Sequence, residues 1–572
     1  MKTLLKNAKV VNVFTEKIEE TNVLIEKDKI IGVGDYYDES DADVCEDLTG
    51  KYICPGFIDG HIHIESTMMV PYSLAQSVLV HGTTAVVTDP HEIANVCGVD
   101  GIRYMLEMSE NLPLHVFIMI PSCVPATCFD EAGASLNAED IEFLYKEKRV
   151  LGLAEMMNYP GVIYNDAPTM DKINACVEKG KPVDGHAPLL SGKDLDKYIS
   201  AGINSDHECS TADEAIEKLS KGQWIMIRQG SAAKNLEKLL PLFEFPYYLR
   251  SILATDDRNP ADIISEGHID NIVRLAIRSG KDPVRAIKMA SFNPARYFGI
   301  DRVGAVSCGY KADLLILNDL ENIDIKDVYS NGVKVVDNGN LLDFEIPSAE
   351  DLITGSVMNS FHMPDLKAED FYIEPKGNRC RVIEVIPGEI LTNELIEELD
   401  FTKDNGIDIE KDIIKIAVIE RHKNTGHKGV GYIKGIGIKN GALAGSVSHD
   451  SHNLIVIGSS DENMCVAANH IKKIGGGLCV VKEGKVIAEV RLPVAGLMST
   501  ESAVNIAKAN EKLRESAKEL SVNENIEPFM NMAFVSLPVI PVLKMTTQGL
   551  VNVTEFKRVD LFADQSDPRS NT

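Results

Sequence analysis

Pro55-Gly56-Phe57-Ile58-Asp59-Gly60-His61-Ile62-His63 closes a short apolar run that begins at Tyr52-Ile53-Cys54. Read as a strand over Ile53–Ile58, it delivers two histidines, two residues apart, at its end. In extended chain, residues i and i+2 project to the same side, so two imidazoles there can grip one metal ion. A lone His-x-His says little. Its weight comes from further ligand-type residues, each at the end of its own apolar run. Glu155 closes Val150-Leu151-Gly152-Leu153-Ala154, and His186 follows Pro182-Val183-Asp184-Gly185. His207 sits in Asn204-Ser205-Asp206-His207-Glu208, and Asp256 ends Ile252-Leu253-Ala254-Thr255.

The chain around that stretch alternates apolar runs with amphipathic segments. Strands are predicted at Ile53–Ile58, Thr83–Thr88, Leu114–Ile120, Val150–Ala154, Pro182–Asp184, Gly202–Ser205, Trp224–Arg228 and Ser251–Thr255. Asp194–Ala201, Ala212–Lys221 and Asp270–Ser279 are among the helical segments between them. Eight strands in about 240 residues fit a (β/α)8 TIM-like barrel; an open doubly wound sheet is the alternative. No Gly-rich phosphate fingerprint follows the first strand, which counts against that alternative. In a barrel the strand ends share one face, so His61, His63, Glu155, His186, His207 and Asp256 would meet there. Taken singly, each reads as well as a cap or a surface residue. Taken together, chance placement is a poor account of them.

Imidazole and carboxylate together suit Zn, Fe, Mn or Co, and a donor set without thiolates suits a catalytic site over a structural one. Six ligands exceed what one ion with an open position needs. Two ions about 3.5–4 Å apart, sharing a carboxylate and a hydroxide, use them naturally and bring the pKa of bound water to roughly 7. The reaction class read from these residues is metal-assisted hydrolysis of a polarised carbon.

The flanks read as β structure. Val23-Leu24-Ile25 faces Ile30-Ile31-Gly32-Val33 across Glu26-Lys27-Asp28-Lys29 as a hairpin. So small a β segment needs partner strands. Ala312–Leu317 and Val328–Val336, with turn signals at Ser330-Asn331-Gly332 and Asp337-Asn338-Gly339, supply them. The expected organisation is a composite β-sandwich of residues 1–52 and 297–345, a barrel of 53–296, and an additional C-terminal α/β domain of 346–572. In the last, Cys380–Ile386, Ile413–Glu420, Leu454–Gly458, Leu478–Lys482 and Lys485–Val490 read as strands, and Asp461–Ile474 and Glu501–Leu520 as helices. Residues 340 to 375 read as a connecting segment and Asp564–Thr572 as a polar tail.

A net charge of −28, from 58 basic and 86 acidic residues, argues against nucleic acid or an anionic membrane as partner. The opening residues are too short and interrupted for a signal peptide, and no run of about 18 apolar residues suggests a membrane span. Eleven cysteines without a CxxC pair point to reduced thiols in the cytoplasm. Cys123 and Cys128, the closest pair, read as packing residues.

The stretch Pro55–His63, the later histidines and the Thr255-Asp256 strand end resemble the amidohydrolase superfamily, as do Gly309-Tyr310-Lys311-Ala312-Asp313-Leu314 and Ser330-Asn331-Gly332. Within it, the chain is similar over nearly its whole length to the adenine deaminase family of bacteria and archaea. The matching stretches include Gly60–Ser66, Thr88–Val96, Gly152–Asn158, Asp184–Pro188, Ser205–Glu208 and Ser448–Asn453. Many superfamily members bridge their metals with a carboxylated lysine; this chain has Glu155 there, which argues against a dihydroorotase or hydantoinase. The resemblance implies two divalent ions, Mn2+ or Fe2+ with Zn2+ as a further option, in a cytoplasmic homo-oligomer. His61 and His63 would bind one ion, His186 and His207 the other, and Glu155 would bridge. Asp256 would bind or sit beside the metal, take the proton from the attacking hydroxide and pass it to departing ammonia. The implied reaction is hydrolysis of adenine, a small-molecule substrate, to hypoxanthine and ammonia in purine salvage. The alternative is hydrolysis of a cyclic amide or an N-acetyl sugar.

Secondary candidates surround that set. Asp89, His91 and Glu92 end the second strand as candidates for ring-nitrogen protonation, for a further ion, or for a capping cluster. Arg228 and Gln229 end the seventh as purine-binding or surface residues. His449, Asp450 and His452 are expected either to close over the site from the C-terminal domain or to form a local turn. His81, before Gly82, reads as structural, and Cys97, Cys209, Met156 and Met157 as packing.

Overall fold

The computed structural model describes residues 1–231, 233–346 and 355–563, so the polar tail Asp564–Thr572 and part of the connecting segment lie outside the described residues. Eight parallel strands follow one another: β1 (Phe57–Ile62), β2 (Thr83–Thr88), β3 (His115–Ile120), β4 (Val150–Met156), β5 (Val183–Gly185), β6 (Ser205–Asp206), β7 (Trp224–Arg228) and β8 (Ser251–Ala254). β1 to β5 pair in sequence, as do β6 to β8. Parallel bridges Val183↔Ile203 and Ile62↔Asp256 join the two arcs into a closed ring. β1, β2, β4, β5 and β8 are buried at every position. Strands covered on both faces carry continuous apolar runs, which is why the sequence displays them.

One expected strand is really two. The run read as Ile53–Ile58 splits at Gly56: Tyr52–Pro55 pairs antiparallel with Leu314–Leu317 in a separate sheet, and β1 starts at Phe57. A Cβ on Gly56 would lie 2.2 Å from Thr84 Oγ1, so only glycine lets the chain pass this close as it changes sheets. The shift carries His61 into the strand itself and leaves His63 just beyond its end.

Tyr52–Pro55 belongs to a sheet drawn from both flanks. Its order is Asn340–Leu341, Val333–Asp337, Ile325–Ser330, Leu314–Leu317, Tyr52–Pro55, Lys2–Asn12, Lys17–Glu26 and Lys29–Val33, with Val44–Asp47 added onto Lys2–Asn12. The hairpin has the register Val23↔Val33 and Ile25↔Ile30. Leu5, Val10, Ile25, Ile53, Leu314 and Ile316 form its core. Asn340–Leu341, expected in the connecting segment, is the outermost strand of this sheet.

A second compact unit contains residues 355–563 together with two excursions of the barrel chain, His91–Tyr104 and Cys123–Leu136. Its sheet has the order Thr392–Glu398, Arg379–Val385, Lys428–Lys434, Ile413–Ile419, Leu454–Gly458, Ala442–Gly445, Gly477–Lys482 and Lys485–Arg491. Asp461–Ile474 packs Met464, Ala467, Ala468 and Ile471 onto it. Three of those strands carry no strong sequence signal. Thr392–Glu398 is a charged edge, Lys428–Lys434 holds two glycines, and Ala442–Gly445 has small side chains. All eleven cysteines are free; Cys123 is buried as expected, whereas Cys128 is exposed and does not pack. Among the described residues, no helix is long and apolar enough to cross a membrane.

Candidate metal centre

The six strand-end residues of the barrel converge. His61 and His63 leave β1, Glu155 lies in β4, His186 and His207 follow β5 and β6, and Asp256 follows β8. Glu155 stands between two groups of imidazoles. Its Oε1 lies 3.4 Å from His63 Nε2, while Oε2 lies 2.6 Å from His186 Nδ1 and 3.1 Å from His207 Nε2. Asp256 Oδ1 is 3.2 Å from His63 Nε2 and 3.8 Å from His61 Nε2. Its backbone is left-handed (φ 62°), a strained conformation for aspartate, and its N–H donates to His61 O at 2.8 Å. The bridge that closes the barrel thus also aims this carboxylate.

The surrounding chain orients the ligand atoms. His63 Nδ1–H donates to the Asp89 carbonyl at 3.1 Å, which leaves the Nε2 lone pair facing the two carboxylates. Tyr198 Oη accepts from His186 N at 2.9 Å and donates to Met156 O at 2.8 Å. Ser122 Oγ donates to Glu155 O at 2.5 Å. His61 stacks on His207 at 4.3 Å, and its buried Nε2 has no hydrogen-bond partner among the described residues. A buried lone pair left unmatched is costly. Such a nitrogen beside Asp256, with neighbouring imidazoles around one carboxylate, fits a divalent cation as the missing partner. The donor atoms of His61, His63 and Asp256, and those of His61, Glu155 and His207, lie within 4.8 Å of one another.

Charge in this pocket is tightly balanced. Burial raises the Glu155 carboxyl, but the His207 and His186 rings more than offset it and hold it well below the usual carboxylate range. Asp256 is likewise raised by burial and pulled well down by Arg228 and His63. His61 is pushed well below an ordinary histidine by burial, then by His207 and His63, and stays neutral with a lone pair to offer.

Two further partners join the cluster, one given no role in the sequence reading and one given a different role. Glu208, directly after His207, places Oε1 3.4 Å from His207 Nε2 and 3.5 Å from His186 Nδ1. Arg228, considered a purine-binding or surface residue, holds Glu208 through two nitrogens at 2.5 and 2.6 Å and Asp256 Oδ2 at 2.7 Å. Its side chain is only 13% exposed, so the surface alternative falls. The acid adjoining a histidine was the available signal. Asp59, within β1, is a further missed residue: it accepts from His61 N at 3.2 Å and Thr255 N at 3.1 Å, tying together the strand ends that carry His61 and Asp256.

The secondary candidates divide. Asp89 ends β2 and contributes its carbonyl to His63. His91 and Glu92 open the helix His91–Cys97 in the second unit, where His449 Nδ1 lies 2.7 Å from Glu92 Oε1 and His452 Nε2 pairs with Glu92 Oε2. His452 Nδ1 accepts from Ser448 N at 3.2 Å, so Nε2 carries the ring's proton and donates it to Glu92. This is a hydrogen-bonded clamp on a carboxylate. His81 pairs with Asp270 at 3.4 Å, in keeping with a structural role.

A closed parallel barrel with a histidine–carboxylate cluster at its strand ends defines a metal-dependent hydrolase of the amidohydrolase class. The amidohydrolase family model matches residues 52–335, and the adenine deaminase C-terminal domain matches 389–557. An adenine deaminase of Desulfatibacillum aliphaticivorans is 46% identical over 562 residues, 98% of this chain and 97% of that protein. Adenine deaminase 2 of Carboxydothermus hydrogenoformans is 45% identical over 97% of this chain and 96% of its own length. An adenine deaminase of Clostridium acetobutylicum is 43% identical, again over 97% of this chain and 96% of its own length. The chain belongs to the adenine deaminase family of amidohydrolases, whose fold implies a divalent metal centre.

Proposed function

We propose that this chain hydrolyses adenine to hypoxanthine and ammonia at a site for two divalent ions. The observation that carries the two-ion reading is the Glu155 carboxylate, with one oxygen facing His63 and the other facing His186 and His207. His61, His63 and Asp256 would hold one ion and His186 and His207 the other, with Glu155 between. The mixed nitrogen and oxygen donors suit Mn2+ or Fe2+, and also accept Zn2+. Ions so held would activate a water by lowering its pKa to about 7.

The residues of the chain handle the protons. Asp256, kept ionised by Arg228 and His63, takes a proton from the water that attacks the amino-bearing carbon of adenine. Passing that proton to the amino nitrogen lets ammonia leave, and the water's second proton ends on the adjacent ring nitrogen as the carbonyl forms. Asp256 thus serves first as base and then as acid. Arg228 fixes one oxygen of the carboxylate and leaves Oδ1 on the cluster side for this exchange. A cytoplasmic homo-oligomer working in purine salvage completes the reading, which rests on family membership.

The test is ammonia release from adenine by metal-stripped protein reloaded in turn with Mn2+, Fe2+ and Zn2+. Metal-dependent formation of hypoxanthine supports the proposal. No conversion by protein that holds two ions per chain would overturn it and favour a cyclic amide or an N-acetyl sugar.

A further inference from the structure

Behind the His186 and His207 strand ends lies a fully buried ion pair, which among the described residues hydrogen-bonds to neither imidazole. Lys218, with no exposed side-chain surface, donates to Asp206 Oδ2, to Ala187 O at 2.8 Å and to Glu214 Oε1 at 2.9 Å. All three ammonium protons are therefore placed. The other oxygen of Asp206, Oδ1, accepts from Ala187 N at 3.1 Å and Glu208 N at 3.3 Å. Ala187 is the residue after His186, and Glu208 the residue after His207.

Both backbone groups of Ala187 are thus captured, the N–H by Asp206 and the carbonyl by Lys218. Lys218 and Glu214 lie four residues apart on the helix Ala212–Ser220, whose N-cap is Thr211. Glu214 extends the same grip, accepting from Leu189 N at 2.8 Å and Ser210 N at 3.1 Å. One helix face and one carboxylate hold the loops that follow β5 and β6. A buried charge pair costs desolvation that an apolar pair avoids, so its retention here calls for a reason beyond stability. Three of its hydrogen bonds supply that reason, since they end on the backbone of Ala187 and Glu208, each the residue after a proposed ligand.

Resting on the two-ion reading, we infer that Asp206 and Lys218 are positioning residues for the ion proposed at His186 and His207. They set the spacing of those two imidazoles and have no contact with His61, His63 or Asp256 among the hydrogen bonds they make. Displaced partners behind metal ligands weaken metal binding by about 10–100-fold. Breaking the pair therefore weakens one binding step by that factor and spares the other.

The experiment titrates metal-free full-length protein with Mn2+ alone and counts bound ions by equilibrium dialysis. His186→Asn marks which step belongs to the second ion. Asp206→Asn and Lys218→Met are expected to weaken that step about 10–100-fold and leave the first unchanged. Where a single variant fails to fold, Asp206→Asn combined with Lys218→Gln replaces the ion pair by neutral amides of similar size and is read the same way. Two unchanged steps in a folded variant would overturn the inference, and so would equal weakening of both, the mark of a merely structural role. A parent protein binding one ion only would instead overturn the two-ion reading, and this inference with it.

Discussion

Among the described residues, Arg228 is the only guanidinium that touches this cluster, and Arg228→Met leaves the Glu208 and Asp256 carboxylates without it. Arg228 and Glu208 are 13% exposed and Asp256 8%, so water screens them poorly. Deleting one partner of a buried ion pair costs about 3–5 kcal/mol, because the remaining charge stays buried. Here the imidazoles of His63, His186 and His207, at 3.2, 3.5 and 3.4 Å from these carboxylates, absorb part of that cost. The expectation for metal-free protein is therefore the lower end, about 3 kcal/mol. In metal-loaded protein, cations at the site proposed above would replace part of the lost positive charge, so the loss is expected to shrink. Arg228→Lys falls between, keeping a charge but not the fork that spans Glu208. The assay is equilibrium urea unfolding followed by the fluorescence of Trp224, the chain's single tryptophan, which opens the same strand as Arg228. A Met variant within about 0.5 kcal/mol of the parent when metal-free would refute the reasoning. Equal losses with and without metal would refute the part that assigns the carboxylates to cations.

Asp256→Asn keeps the side-chain shape but abolishes its capacity to take a proton; bound metal is expected to persist while turnover falls by at least about 100-fold, and full activity would remove Asp256 from the proton path. Gly185→Ala places a Cβ 2.2 Å from Ser205 O, so β5 must move off β6 just before His186. The expected cost is about 1–3 kcal/mol with weakened Mn2+ binding, and a neutral outcome in both unfolding and dialysis would show that the strands have slack. Lys544 is fully buried on Leu543–Thr546, donates to Ile390 O at 3.1 Å, and burial lowers its pKa from 10.5 to about 7. Between those values the unfolded chain holds more protons than the folded one, so stability rises with pH and the lysine is most costly below pH 7. Lys544→Met is expected to stabilise most at pH 6, with the gain shrinking by roughly 3 kcal/mol at pH 9. A gain independent of pH would mean that Lys544 is charged in the fold.

The barrel and the core of its site were legible because burial on both faces writes parallel strands as apolar runs, against which a terminal histidine or carboxylate stands out. Hence His61, His63, Glu155, His186, His207 and Asp256 could be picked from one sequence, and the structure does bring them together. The strand read across Gly56 shows the limit of that signal. Two adjacent apolar runs look continuous in sequence, while hydrogen bonding assigns Tyr52–Pro55 and Phe57–Ile62 to different sheets. Charged edges such as Thr392–Glu398 were invisible for the opposite reason, since a strand paired on one side need not be apolar.

What the sequence by itself determined is that His61, His63, Glu155, His186, His207 and Asp256 each lie at or near the end of an apolar run. The three-dimensional arrangement decided which charges neutralise one another. Arg228 meets Glu208 and Asp256 across 20 and 28 residues, Lys218 reaches back to Ala187, and His452 meets Glu92 across 360. Local periodicity reports what a strand or helix does with its own neighbours. Electrostatic pairing depends on distance and burial, and those exist only after the chain has closed on itself.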